Sequence, residues 1–79
     1  MAKRMAIFAF NGKGVVETRE LPSGDMAVWH PMSADLRDIV EPICRGRGHW
    51  KAEFNNWIVF RQFAGAVLTD LETQGRRLA

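Results

Sequence analysis

Apolar positions along this chain change their rhythm several times, and each change marks an element. Met5-Ala6-Ile7-Phe8-Ala9-Phe10 is a short apolar run that stops at Asn11-Gly12-Lys13-Gly14. Asn-Gly accepts positive φ at both positions, the strongest short hairpin signal, so Val15 to Leu21 is expected as the returning strand. Pro22-Ser23-Gly24-Asp25 supplies a second turn, Met26 to His30 a third strand, and Pro31 its end.

The period then becomes helical. Ser33 is the expected N-cap. Leu36, Ile39, Val40 and Ile43 follow at i, i+3, i+4, i+7 and share one face. Pro42 lacks an N–H and clashes with the preceding turn, so the helix is expected from Ala34 to about Glu41 and kinked or frayed beyond. Gly46 and Gly48 close the segment. Trp50-Lys51-Ala52-Glu53-Phe54 alternates, Asn55-Asn56 offers a two-residue turn, and Trp57 to Phe60 returns. Such a turn pairs Phe54 with Trp57, Ala52 with Val59, and Trp50 with Arg61. Trp50, Ala52, Phe54, Trp57, Val59 and Arg61 then share the face better suited to a core. Lys51, Glu53, Ile58 and Phe60 occupy the other.

A last helix is expected from about Gln62 to Gln74. Ala64, Val67, Leu68 and Leu71 form its buried stripe, and Gly75 its C-terminal cap. Arg76-Arg77-Leu78-Ala79 reads as a loose basic tail, beginning at about residue 75. The order β-β-β-α-β-β-α, with short hairpin-linked strands, specifies an α+β fold. It is a single domain over 1–79: a small antiparallel sheet with two helices packed on one face.

Composition adds bounds. Seventy-nine residues leave room for one core, and three Trp, five Phe and a 47% hydrophobic content supply it. Surplus apolar surface also makes self-association reasonable. A single Cys, Cys44, cannot form an internal disulfide. The start Met1-Ala2-Lys3-Arg4-Met5 is basic, but the run Ala6 to Phe10 is too short for a signal-peptide core. No stretch approaches the roughly 18 apolar residues of a membrane span. The expected compartment is the cytoplasm, with no membrane partner.

Chemistry narrows the field further. Asn11-Gly12-Lys13-Gly14 leads into a strand, whereas a phosphate-binding P-loop is longer and opens a helix. His30, Cys44 and His49 lack the paired spacing of a zinc site and more simply read as isolated residues. Cys44, beside the helical stripe, reads as a small buried hydrophobe. Asp35 and Asp38 read as a solvated helix face. No catalytic residue, metal or cofactor is expected.

The charge distribution is more informative than the net charge of +2. Eight of the eleven cations are Arg, which suits bidentate contacts. Arg45-Gly46-Arg47-Gly48-His49-Trp50-Lys51 holds three Lys or Arg and no acid. Glycines allow close approach, arginines fork onto phosphates, and Trp50 offers a stacking surface. With Arg61 expected across from Trp50, the candidate nucleic-acid-binding residues are Arg45, Arg47, His49, Trp50, Lys51 and Arg61. Arg76 and Arg77 extend the field. The structural alternative is a soluble loop in which Arg61 merely covers Trp50; Trp29 and Trp57 read as core.

The stretch from Trp29 to Leu71, about half the chain, resembles the HARP-type module of annealing helicases. Leu36, Ile39, Ile43, Arg47, Trp50, Trp57, Ile58, Val59, Val67 and Leu71 carry the likeness. The pattern is a helix, a Gly/Arg turn, a strand with a basic-aromatic start, a second strand opening with Trp, and a helix with spaced Leu. The resemblance implies recognition of branched or single-strand-containing DNA. No helicase motor accompanies it here, so ATP-driven remodelling is not implied. Two functions are therefore expected in competition. One is a non-catalytic DNA- or RNA-binding module with phosphate and stacking contacts and little sequence specificity. The other is a protein-interaction or homo-oligomeric domain.

Overall fold

A computed structural model of the protein describes residues 5–79; the basic stretch 1–4 lies outside the described residues. β1 (Met5–Phe10) and β2 (Gly14–Glu20) form the opening hairpin. Their last pair is Phe10 with Gly14, which leaves a three-residue loop. The Lys13 N–H closes it by donating to the Phe10 carbonyl at 2.8 Å. Positive φ falls on Gly12 and Gly14 and not on Asn11, so Gly14 begins β2 instead of finishing the turn. β3 (Met26–Trp29) follows, antiparallel to β2.

Helix α1 runs from Ala34 to Cys44 without stopping at Pro42. Ser33 caps it, its Oγ accepting the Leu36 N–H at 3.2 Å. Pro42 is exposed, so the backbone groups it leaves unbonded face water, while Leu36, Val40, Ile43 and Cys44 hold the opposite side in the core. That burial outweighs the cost of a proline on the wet side, and the expected fraying after Glu41 does not occur.

The second hairpin departs from its expected register. β4 (Gly48–Lys51) pairs β5 (Asn56–Val59) with Trp50 opposite Trp57 and Lys51 opposite Asn56. Ala52–Phe54 leave the strand as a 3-10 turn, and Asn55 closes it in the left-handed region at φ 53°. The Trp50–Arg61, Ala52–Val59 and Phe54–Trp57 pairs therefore do not form. Arg61 instead begins α2 (Arg61–Gln74).

The six strands form one antiparallel sheet in the order β4-β5-β3-β2-β1-β6. α2 spans about 21 Å at 1.5 Å per residue. Four strand steps, from β5 to β6, cover about 19 Å. The helix is thus long enough to return the chain to the far edge, where Arg76–Arg77 form β6 against β1. The Leu78 N–H donates to the Ile7 carbonyl at 2.7 Å. The expected loose tail is a strand because β1 would otherwise be an open edge with unpaired backbone groups. Gly75 makes the approach possible: a Cβ there would lie 2.8 Å from the Phe10 ring.

Both helices cover one face. Phe8, Phe10, Val16, Val28 and Val59 of the sheet meet Leu36, Val40 and Ile43 of α1 and Val67 and Leu71 of α2. Ile39, Ala64 and Leu68, expected on the buried stripes, are only partly covered. Among the described residues, the other face of the sheet carries no helix. No helix among the described residues is long and apolar enough to cross a membrane.

Candidate functional site

The fold separates the six residues that the sequence groups together. Arg45 ends α1, exposed, with its Nη2 2.9 Å from Glu41 one turn back. Arg47 donates Nη1 to Asp70 Oδ2 at 2.8 Å and to the Ile43 carbonyl at 3.4 Å, tying the loop before β4 to α2. Arg61 lies beyond the opposite end of β5 from Trp50. Its N–H donates to Asp25 Oδ1 at 3.0 Å, and its side chain passes the α-carbon of Gly24. Trp50 faces the helix side of the sheet, with its ring 6.0 Å from that of Trp57 and nearly perpendicular to it. His49 and Lys51, its neighbours in the strand, point to the helix-free side, because successive residues alternate. His49 packs against Phe60 there, ring centroids 5.9 Å apart. Only these two of the six share that face.

What the register assembles on the helix-free face is a different set. Lys51, Asn56, Trp29, Glu17 and Ile7 lie in one row across β4, β5, β3, β2 and β1. His49, Ile58, Ala27, Arg19 and Met5 form the next. Arg76 joins through its pairing with Ala9. Lys51, Asn56, Trp29 and Arg19 line one shallow cleft of about 520 Å³ together with Phe54, which reaches in from the 3-10 turn. Trp29 is 37% exposed and Phe54 63%, so Trp29 does not belong to the core as the sequence suggested.

Charge on this face is one-sided. Arg19, Lys51 and Arg76 are the basic side chains there, and Glu17 is the one acid that the six strands place there. Arg19, Lys51 and Arg76 form no ion pair with a described residue. Asn56 lines the cleft, and its Oδ1 is buried without a donor among the described residues. Stacking surface and cations therefore meet on one sheet face. Sequence pattern alone missed Trp29, Arg19 and Asn56, because their proximity depends on register across four strands. Alternation within Glu17-Thr18-Arg19 and Ala27-Val28-Trp29 was the available signal.

The second cleft, about 610 Å³, opens on the helix side between α1 and the β4–β5 hairpin. Trp50, Trp57, Met32, His30 and Arg37 are in its walls. His30 is buried and donates Nδ1–H to the Pro31 carbonyl at 2.8 Å. Cys44 lies in the core, where burial pushes its thiol up to about 12 despite the opposing pull of the Arg47 charge. His30, Cys44 and His49 thus occupy three different environments, and the described residues hold no cluster of three or more His, Cys, Asp or Glu arranged for a metal. No protein-family model, curated protein or solved structure matches the chain.

Proposed function

We propose that the helix-free sheet face is a binding platform for single-stranded nucleic acid, with little sequence specificity. The carrying observation is the placement of Trp29 between Lys51 and Arg19 on an uncovered sheet, with Glu17 as the lone acid. Bases stack on an exposed indole irrespective of sequence, and cations to either side take successive phosphates. A single strand suits this surface because its bases are free to lie on the sheet, whereas a duplex hides them in its own stack. The HARP-type likeness of residues 29–71 favours the same ligand class. Relative to the first expectation, His49 and Lys51 stay in the site, Trp29, Arg19, Arg76 and Asn56 join it, and Arg45, Arg47, Trp50 and Arg61 leave.

The rival reading, a homodimer through the same face, is less favoured by charge. Two apposed copies would bring Arg19, Lys51 and Arg76 of each against the other, with only Glu17 to offset them. Fluorescence titration of labelled oligothymidine separates the two readings. Three phosphate contacts imply a log–log salt slope of about −2, or roughly twentyfold weaker binding at about 200 mM than at about 50 mM salt. Trp29→Ala is expected to weaken binding about tenfold, whereas Arg45→Ala and Arg61→Ala leave it within a factor of about two. No binding at the lower salt, or equal losses from Arg45→Ala and Trp29→Ala, contradicts the proposal.

A further inference from the structure

The cleft on the helix side has its own recognition chemistry. Trp50 is 42% exposed, and its ring meets Trp57 edge to face, so one indole face remains open for a planar ring to stack. The volume, about 610 Å³, is in the range of small-molecule sites. His30 is only 5% exposed. Its Nδ1–H is committed to the Pro31 carbonyl, so in the neutral ring Nε2 is the acceptor, and it has no hydrogen-bond partner among the described residues. Arg37 brings the positive charge: its nearest carboxylate, Asp38, is 3.9 Å away and well exposed. The cleft's acid, Glu41, is already engaged by Arg45 at 2.9 Å. Trp50, His30 and Arg37, an indole, an imidazole and an exposed guanidinium held only by a long contact to Asp38, thus line one cavity.

We propose that this cleft binds a phosphorylated nucleotide unit whose base carries an amino group. The base stacks on Trp50, its amino group donates to His30 Nε2, and the phosphate pairs with Arg37. Adenine, cytosine and guanine nucleotides satisfy all three contacts; uracil and thymine lack the exocyclic amino donor and offer only a ring N3–H set between two carbonyls. The unit is either a free mononucleotide or the 5′-phosphorylated end of a strand. The second source is compatible with the sheet platform, since Asn55 of this cleft and Asn56 of the other are adjacent residues. The inference stands independently of the platform: neither Trp29 nor Lys51 belongs to this cavity.

The three indole N–H resonances of the ¹⁵N-labelled protein report the two sites separately. CMP is expected to shift Trp50 and Trp57 while leaving Trp29 in place, with UMP binding about tenfold more weakly for want of one hydrogen bond. Arg37→Glu, an exposed position that the fold tolerates, is expected to weaken CMP about tenfold and leave cytidine unchanged. A 5′-phosphorylated hexanucleotide that moves Trp50 where its unphosphorylated form does not assigns the strand end; movement by CMP alone assigns the free nucleotide. Equal affinity for CMP and UMP, or no movement of Trp50 and Trp57 at millimolar CMP, overturns the inference. Oligonucleotide shifts confined to Trp29, together with no movement of Trp50 by CMP, overturn it while upholding the sheet platform.

Discussion

Cys44 has no exposed surface, and its thiol titrates at about 12 instead of an ordinary 9.0 because burial disfavours the thiolate. Since the folded value is the raised one, the neutral thiol's contribution to stability is complete below pH 9. It is lost progressively as pH climbs from there toward 12. Urea unfolding between pH 8 and 11 is therefore expected to show falling stability that Cys44→Ala makes shallower, at a cost of about 1 kcal/mol at neutral pH. The chain has no Tyr, so phenol ionisation does not confuse that slope. An equal slope in both proteins refutes this account. Asp25 illustrates a different residue-scale dependence. α2 has no side-chain cap of its own at Phe60, and the Asp25 carboxylate, from the turn before β3, accepts the Arg61 N–H instead. Removing a capping group costs about 1 kcal/mol. Asp25→Ala is expected to lower the urea midpoint correspondingly without changing the unfolding slope.

Among the elements, the β4–β5 hairpin decides which side chains meet. Reading Asn55-Asn56 as the turn found the two strands but ran the first through Ala52–Phe54 and closed the hairpin too late; the 3-10 turn over those residues closes it earlier. The shift is by an even number of residues, so Trp50, Trp57 and Val59 still share a face, as alternation demanded. What changes is the partner: Trp50 meets Trp57, and Arg61 leaves the sheet. Alternation was therefore legible in the sequence, whereas loop length was not. Local propensity does not distinguish a two-residue turn from a four-residue one that ends in a left-handed Asn. Both helices were legible because their apolar stripes repeat over several turns. The tail was not, since two arginines carry no strand signal and β6 depends on what β1 needs. Asn55 makes the register testable. Its φ of 53° is tolerated by Asn and Gly but strained for a β-branched side chain. Asn55→Val is expected to destabilise the protein by about 1–2 kcal/mol in urea denaturation, and Asn55→Gly by less than about 0.5 kcal/mol. Similar losses from both substitutions argue against this turn.

Viewed as one body, the protein has a covered side and a bare one, and their charges differ in use. Arg45 and Arg47, which gave the sequence its most basic segment, are bound to Glu41 and Asp70. Three cations without an ion pair among the described residues, Arg19, Lys51 and Arg76, lie instead across the bare sheet, from its β4 edge to its β6 edge. Five strand steps separate those edges, about 24 Å at about 4.8 Å each, against a longest molecular dimension of 33 Å. A strand crossing the sheet would therefore be held at both edges and stacked between them on Trp29. Affinity for oligothymidine is expected to rise with length until both edges are reached, then level off at about four to eight nucleotides, within the site sizes of comparable single-strand platforms. Lys51→Ala and Arg76→Ala each remove one phosphate contact and are expected to flatten the log–log salt slope by about 0.7. Losing both edge cations should leave the short-oligomer affinity carried by Trp29 and erase the length dependence. If the double variant keeps the wild-type length profile, the strand does not cross the sheet in this direction, whatever its affinity.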